Sequence, residues 1–117
     1  MLTEWSVSFE YRMTGVVPDW GSIIRFTIGG NSGQKGYRAP AVFTLPNSQK
    51  VDFFTGLHAF NVAHRSVELD LNRVYKFEVH QRYISNGNYR NFIKIDGEEV
   101  HSAINCEAIQ YLSLIHI

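Results

Sequence analysis

Residues 73–104 read RVYKFEVHQRYISNGNYRNFIKIDGEEVHSAI, and three consecutive strands are legible in them. Tyr75, Phe77, Val79, Gln81 and Tyr83 fall on one side of the first segment, with charged or polar residues between most of them. That period of two puts one strand face on a core and the other in solvent. Asn86-Gly87 follows. It is the strongest short hairpin signal, because both central residues of a tight hairpin turn need positive φ. YRNFIKI then returns against the first strand, and Asp96-Gly97 turns the chain into EEVHSAI.

The same period extends in both directions. TEWSVSFEYRMT carries Trp5, Val7, Phe9, Tyr11 and Met13 on one side, and Ser6, Ser8, Glu10 and Arg12 on the other. GVVPD interrupts it, since Pro18 cannot continue a ladder. In WGSIIRFTIG, alternation sets Ser22, Ile24, Phe26 and Ile28 against Ile23, Arg25 and Thr27. After the glycine-rich GGNSGQKGYRAP come further short strand candidates: AVFTL, KVDFFTG, HAFNVA and SVELDL, the last with Val67, Leu69 and Leu71 on one side. No helix-period run of useful length is present. Many short strands punctuated by turns predict an all-β, antiparallel two-sheet β-sandwich.

Composition narrows the function classes. The chain has 117 residues, long enough for one sandwich core without staples. Its 8 Phe and 6 Tyr favour strands over helices. Lys plus Arg and Asp plus Glu are 11 each, and the basic residues are scattered, so no net field recruits nucleic acid or an anionic membrane surface. No stretch is long enough for an apolar membrane span. The single cysteine, Cys106, builds no internal disulfide or zinc framework. It reads either as a small buried residue or as half of a disulfide whose partner lies outside this chain.

Three pieces taken in order carry a family resemblance. They are WSVSFEYRM followed by WGSIIRFTIGGN, then GYRAPAVF, then LNRVYKFEVHQRYISNGNYRNFIKIDGEEVHSAIN. Together they resemble the concanavalin A-like jelly rolls, the broad group that holds laminin-G-like, pentraxin-like and related lectin-type modules. The resemblance implies a jelly-roll sandwich, an extracellular or cell-surface location, and recognition of glycan or of an extracellular protein. The final LSLIHI is similar to the in-frame translation of a transposon-derived sequencing-library adapter. That likeness implies a single lectin-like domain over 1–111, incomplete at its end, and sets 112–117 aside.

Catalytic and metal-binding constellations are weighed against this background. Laminarinase-like hydrolases of the same superfamily carry a Glu-x-Asp-x-Glu strand. Here Glu68 and Asp70 match, but the third position is Asn72. Retaining hydrolysis needs a nucleophile and a second carboxyl group, and an amide cannot exchange the proton. Galectin sugar contacts do not carry over either: HAFNVAHR has wrong spacing, and no Trp follows Trp20. The expectation is therefore no catalytic residue and no enzyme.

Calcium is the other ligand that the superfamily implies. GGNSGQKG offers Asn31, Ser32 and Gln34 without a carboxylate, and Asp19, Asp52 and Asp96 lie in separate turns. No cofactor and no metal ligand is expected, with calcium the one candidate ion. His58, His64, His80, His101 and His116 show no metal-ligand spacing, though a cross-strand contact of His80 with His101 fits their chain order.

What remains is the loop rim. Tyr37 offers a stacking surface, and Asn31, Gln34 and Arg38 offer hydrogen bonds, on the kind of loop that rigid sandwiches use for binding. The expected function is a non-enzymatic binding or adhesion module of a larger extracellular protein. It would act through this rim or a concave sheet face. A ligand-free spacer and a degenerate hydrolase fragment are the alternatives.

Overall fold

The computed structural model describes residues 4–27, 40–54, 64–105 and 114–116. These form two antiparallel sheets, and no helix occurs among them. In chain order the strands are β1 Trp5–Arg12, β2 Gly21–Thr27, β3 Ala41–Thr44, β4 Val51–Phe54, β5 His64–Arg65, β6 Val74–Ser85, β7 Asn88–Ile95, β8 Glu98–Asn105 and β9 Leu114–His116. One sheet has the order β1-β6-β7-β8 and the other β5-β4-β3-β2-β9. The sandwich expected from the sequence is the fold observed.

The faces follow the alternation. Trp5, Tyr75, Phe77, Val79 and Ile93 from the four-stranded sheet, with Met13 just past β1, meet Val42, Val51 and Phe53 from the other in one buried cluster. Phe77 and Phe53 join the layers edge to face, with ring centroids 5.3 Å apart. His64 stacks on His101, which places β5 over β8. Phe9, Tyr11 and Met13 share a cleft with Ile23, Ile24, Thr44 and Leu45, which places β1 beside β2 and the Thr44 end of β3 beside the Met13 end of β1.

The two hairpins form where glycine and a tolerant polar residue stand together. Asn86 and Gly87 take φ of 51° and 78°, Asp96 and Gly97 take 53° and 81°. Both pairs thus adopt the double positive-φ geometry whose twist matches the flanking strands. Asp96 also accepts the Lys76 N–H at 2.8 Å and an Arg73 N–H at 3.0 Å, tying the second turn to the start of β6.

Three expectations need correction. SVELDL is not a strand: Ser66–Leu69 instead lean on β4 and the turn before it, through Ser66 N–H to Val51 O and Leu69 N–H to Gln49 O. Of its three apolar residues Leu69 alone is buried, while Val67 and Leu71 are exposed. Strict alternation fails in β2, where the register shifts between Ser22 and Ile24. Ile23 and Ile24 consequently both pack on the core, because a bulge turns two successive side chains to one side. Third, His80 pairs with Phe92 on the outer face, whereas His101 pairs with Ile93 on the inner face. His101 therefore stacks with His64 and does not meet His80. The strand expected at HAFNVA lies almost wholly outside the described residues.

Candidate functional site

Asn31, Gln34, Tyr37 and Arg38 lie outside the described residues, as does Cys106. Their flanks are described. Thr27 ends β2 and Ala41 begins β3 at the end of the sandwich away from Met13 and Thr44. On the four-stranded sheet, the β6–β7 hairpin turn lies at that same end, since β1 runs from Trp5, opposite Gln81, to Arg12, opposite Val74.

The outer face near this end carries an ordered polar array. Period two sets Glu78, His80 and Arg82 side by side on β6, and Arg90, Phe92 and Lys94 opposite them on β7. The His80 ring lies parallel to Phe92 with centroids 4.5 Å apart and an interplanar angle of 6°. The Arg90 guanidinium sits 4.1 Å from the Phe92 centroid and the Lys94 ammonium 5.9 Å. These neighbours leave Phe92 only 8% exposed although it faces outward. Cation–π contact and stacking therefore replace core packing at this position.

His80 is held in one protonation form by its partners. Arg82 can only donate, so its contact at 3.4 Å makes Nδ1 the acceptor. Nε2 then carries the proton and donates to Glu78 at 3.1 Å. Burial pushes the His80 pKa down, Glu78 opposes that, and the Arg82 and Lys94 charges add to it, which suits a neutral imidazole.

Arg82 and Arg90 stand directly opposite each other in the ladder. Like charges in that position repel. Arg90 is paired with Glu99 and donates to Ser102 at 2.9 Å. Arg82 has only neutral acceptors, the Trp5 and Gln81 carbonyls at 3.1 Å and His80, and no carboxylate partner among the described residues. One step nearer the turn, on the opposite face of the sheet, Tyr83 and Tyr89 meet edge to face at 5.5 Å, with Tyr83 51% exposed. The outer-face arrangement suits a ligand with negative charge.

The carboxylates considered for hydrolysis or calcium are placed otherwise. Glu68 and Asp70 are exposed in the β5–β6 connection. Both Asp52 oxygens are taken by Arg65, at 2.7 and 3.0 Å, pinning β5 to β4. Asp96 is taken by the turn contacts given above. Among the described residues no three His, Cys, Asp or Glu side chains come together as a metal site.

The site eluded sequence reading because its residues were sorted by chemistry along the chain. The outward period of Glu78, His80 and Arg82 was the one legible signal, while their partners on β7 followed only from the register shift between Tyr83 and Ser85.

No protein-family profile and no curated protein matches the chain. Among solved structures it is similar to the endo-β-1,4-glucuronan lyase of the fungus Trichoderma reesei, with a TM-score of 0.56 and 13% identity over 91% of this chain and 50% of that one. The chain thus spans about half the length of that enzyme. The likeness supports the β-sandwich. It also overturns the expectation that this chain is no enzyme. That exclusion rested on a missing second carboxylate, which rules on retaining hydrolysis alone, and the similar structure belongs to a lyase.

Proposed function

We propose that this domain is a lectin-type jelly roll of the concanavalin A-like group that recognises an acidic polysaccharide of the extracellular space. The chain would lie across the β6–β7 end of the four-stranded sheet. The observation that carries the reading is the in-register pair Arg82 and Arg90, of which Arg82 lacks a carboxylate partner among the described residues. A sugar carboxylate bound by Arg82 would supply the anionic partner that its guanidinium lacks among the described residues, through charge-assisted hydrogen bonds. Thr27 and Ala41, which flank the β2–β3 connection, stand at the same end of the sandwich. The acidic polymer in the similar enzyme's name, glucuronan, is in keeping with this ligand class.

Isothermal titration with oligoglucuronate and with a neutral β-1,4-glucan oligomer of equal length tests the proposal. The acidic oligomer should bind, more weakly as salt rises. Arg82→Ala should cost about tenfold in affinity, the scale of one hydrogen bond to a charged group. Equal binding of the neutral oligomer, or an unchanged affinity in the variant, would overturn the reading.

A further inference from the structure

The edge of the four-stranded sheet opposite β8 is β1, and nothing among the described residues pairs with its outer side. Such an edge is a template for another strand unless something blunts it. On its inner side Trp5 at the start and Met13 just past the end are buried, at 4% and 2% exposure, while Val7, Phe9 and Tyr11 between them are only half-buried. Phe9, Tyr11 and Met13 line an open cleft of about 640 Å³, and its rim carries the exposed Val16 and Val17. Among the described residues the middle of the strand thus lacks a neighbour that covers its apolar side chains.

The outer face of β1 says which neighbour fits. Glu10 and Arg12 lie two residues apart on that face, both exposed, and neither forms an ion pair among the described residues. Opposite charges at that spacing are self-complementary under a two-fold axis, the condition for an isologous interface.

We propose that β1 pairs antiparallel with β1 of a second copy about a two-fold axis at Tyr11, joining the two sheets edge to edge. Glu10 then faces the partner's Arg12, and Arg12 faces the partner's Glu10. On the inner face Tyr11 meets the partner's Tyr11, and Phe9 meets the partner's Met13, extending the apolar wall of each cleft. Other registers match the charges less well. An axis at Phe9 sets Glu10 against the partner's Ser8. An axis at Ser8 needs Glu4 for Arg12, and the Glu4 Oε2 already accepts the Tyr83 N–H at 2.9 Å.

Sedimentation equilibrium over a wide concentration range tests this, with circular dichroism confirming that each variant is folded. The wild-type chain should associate to a dimer. Glu10→Arg sets arginine against arginine twice and should weaken association by roughly tenfold or more. Combining it with Arg12→Glu restores both pairs and should restore the dimer. A wild-type chain that stays monomeric at every concentration, or a double variant no better than the single one, would overturn the proposal.

Discussion

Phe77→Ala is the substitution that bears hardest on the two-layer arrangement. Phe77 is fully buried, and its ring lies 5.6 Å from Phe9, 5.8 Å from Tyr11 and 6.5 Å from Tyr75 within its own sheet. It lies 5.3 Å from Phe53 in the facing sheet. Removing a buried phenylalanine ring costs about 3–5 kcal/mol, the upper part of that range where the walls cannot close in. Here the walls are strands of two ladders, so the upper part applies. A domain of this size has a total stability of about 5–15 kcal/mol, so the loss is a large share of it. Phe92, one strand away, is the matched comparison: it is nearly as covered, but by His80 and Arg90 on the outer face. Those flexible side chains can settle onto the sheet, so Phe92→Ala should cost about half as much. Urea unfolding followed by tryptophan fluorescence measures both. With a slope of about 1–3 kcal/mol/M, Phe77→Ala should lower the midpoint by more than about 1 M. If Phe92→Ala costs as much as Phe77→Ala, the assignment of inner and outer faces is wrong.

Two further outcomes follow from buried polar groups. Asn91 is fully buried between the sheets with both amide atoms unpartnered, and Ala103 opposite it leaves room. Asn91→Leu, which keeps the branching and removes the stranded dipoles, should raise the urea midpoint, by about 1–3 kcal/mol in stability terms; a lowered midpoint would refute this. His64 is pushed below its ordinary pKa by burial and by stacked His101, with Asp52 opposing, and His80 is lowered mainly by burial. Below about pH 6.5 the unfolded chain therefore takes up protons that the folded chain refuses. Stability present above that pH should fall as pH drops toward the folded values. A flat profile of urea midpoint between about pH 5 and 7 would count against both assignments.

The alternation in β1 and β6 and the two Asn-Gly and Asp-Gly turns were enough to name a sandwich, because side chains on a strand change face at every residue whatever surrounds them. Local chemistry also marked the apolar face, since Trp5, Phe9, Tyr75 and Phe77 can be covered only by a second layer. The candidate site was not legible, and the reason lies in the β6–β7 ladder. A plain two-residue turn, with Ser85 opposite Asn88, carried on without interruption would pair Arg82 with Asn91 and His80 with Ile93. The structure has a register shift between Tyr83 and Ser85, after which Arg82 faces Arg90 and His80 faces Phe92. One extra residue in one strand reverses every pairing beyond it. That bulge is selected by burial: it is the register that puts Val79 beside Ile93 and Phe77 beside Ile95 on the core side. The sequence alone thus determined the layers and their turns. Which charges share a surface was decided by the packing of the core beneath them.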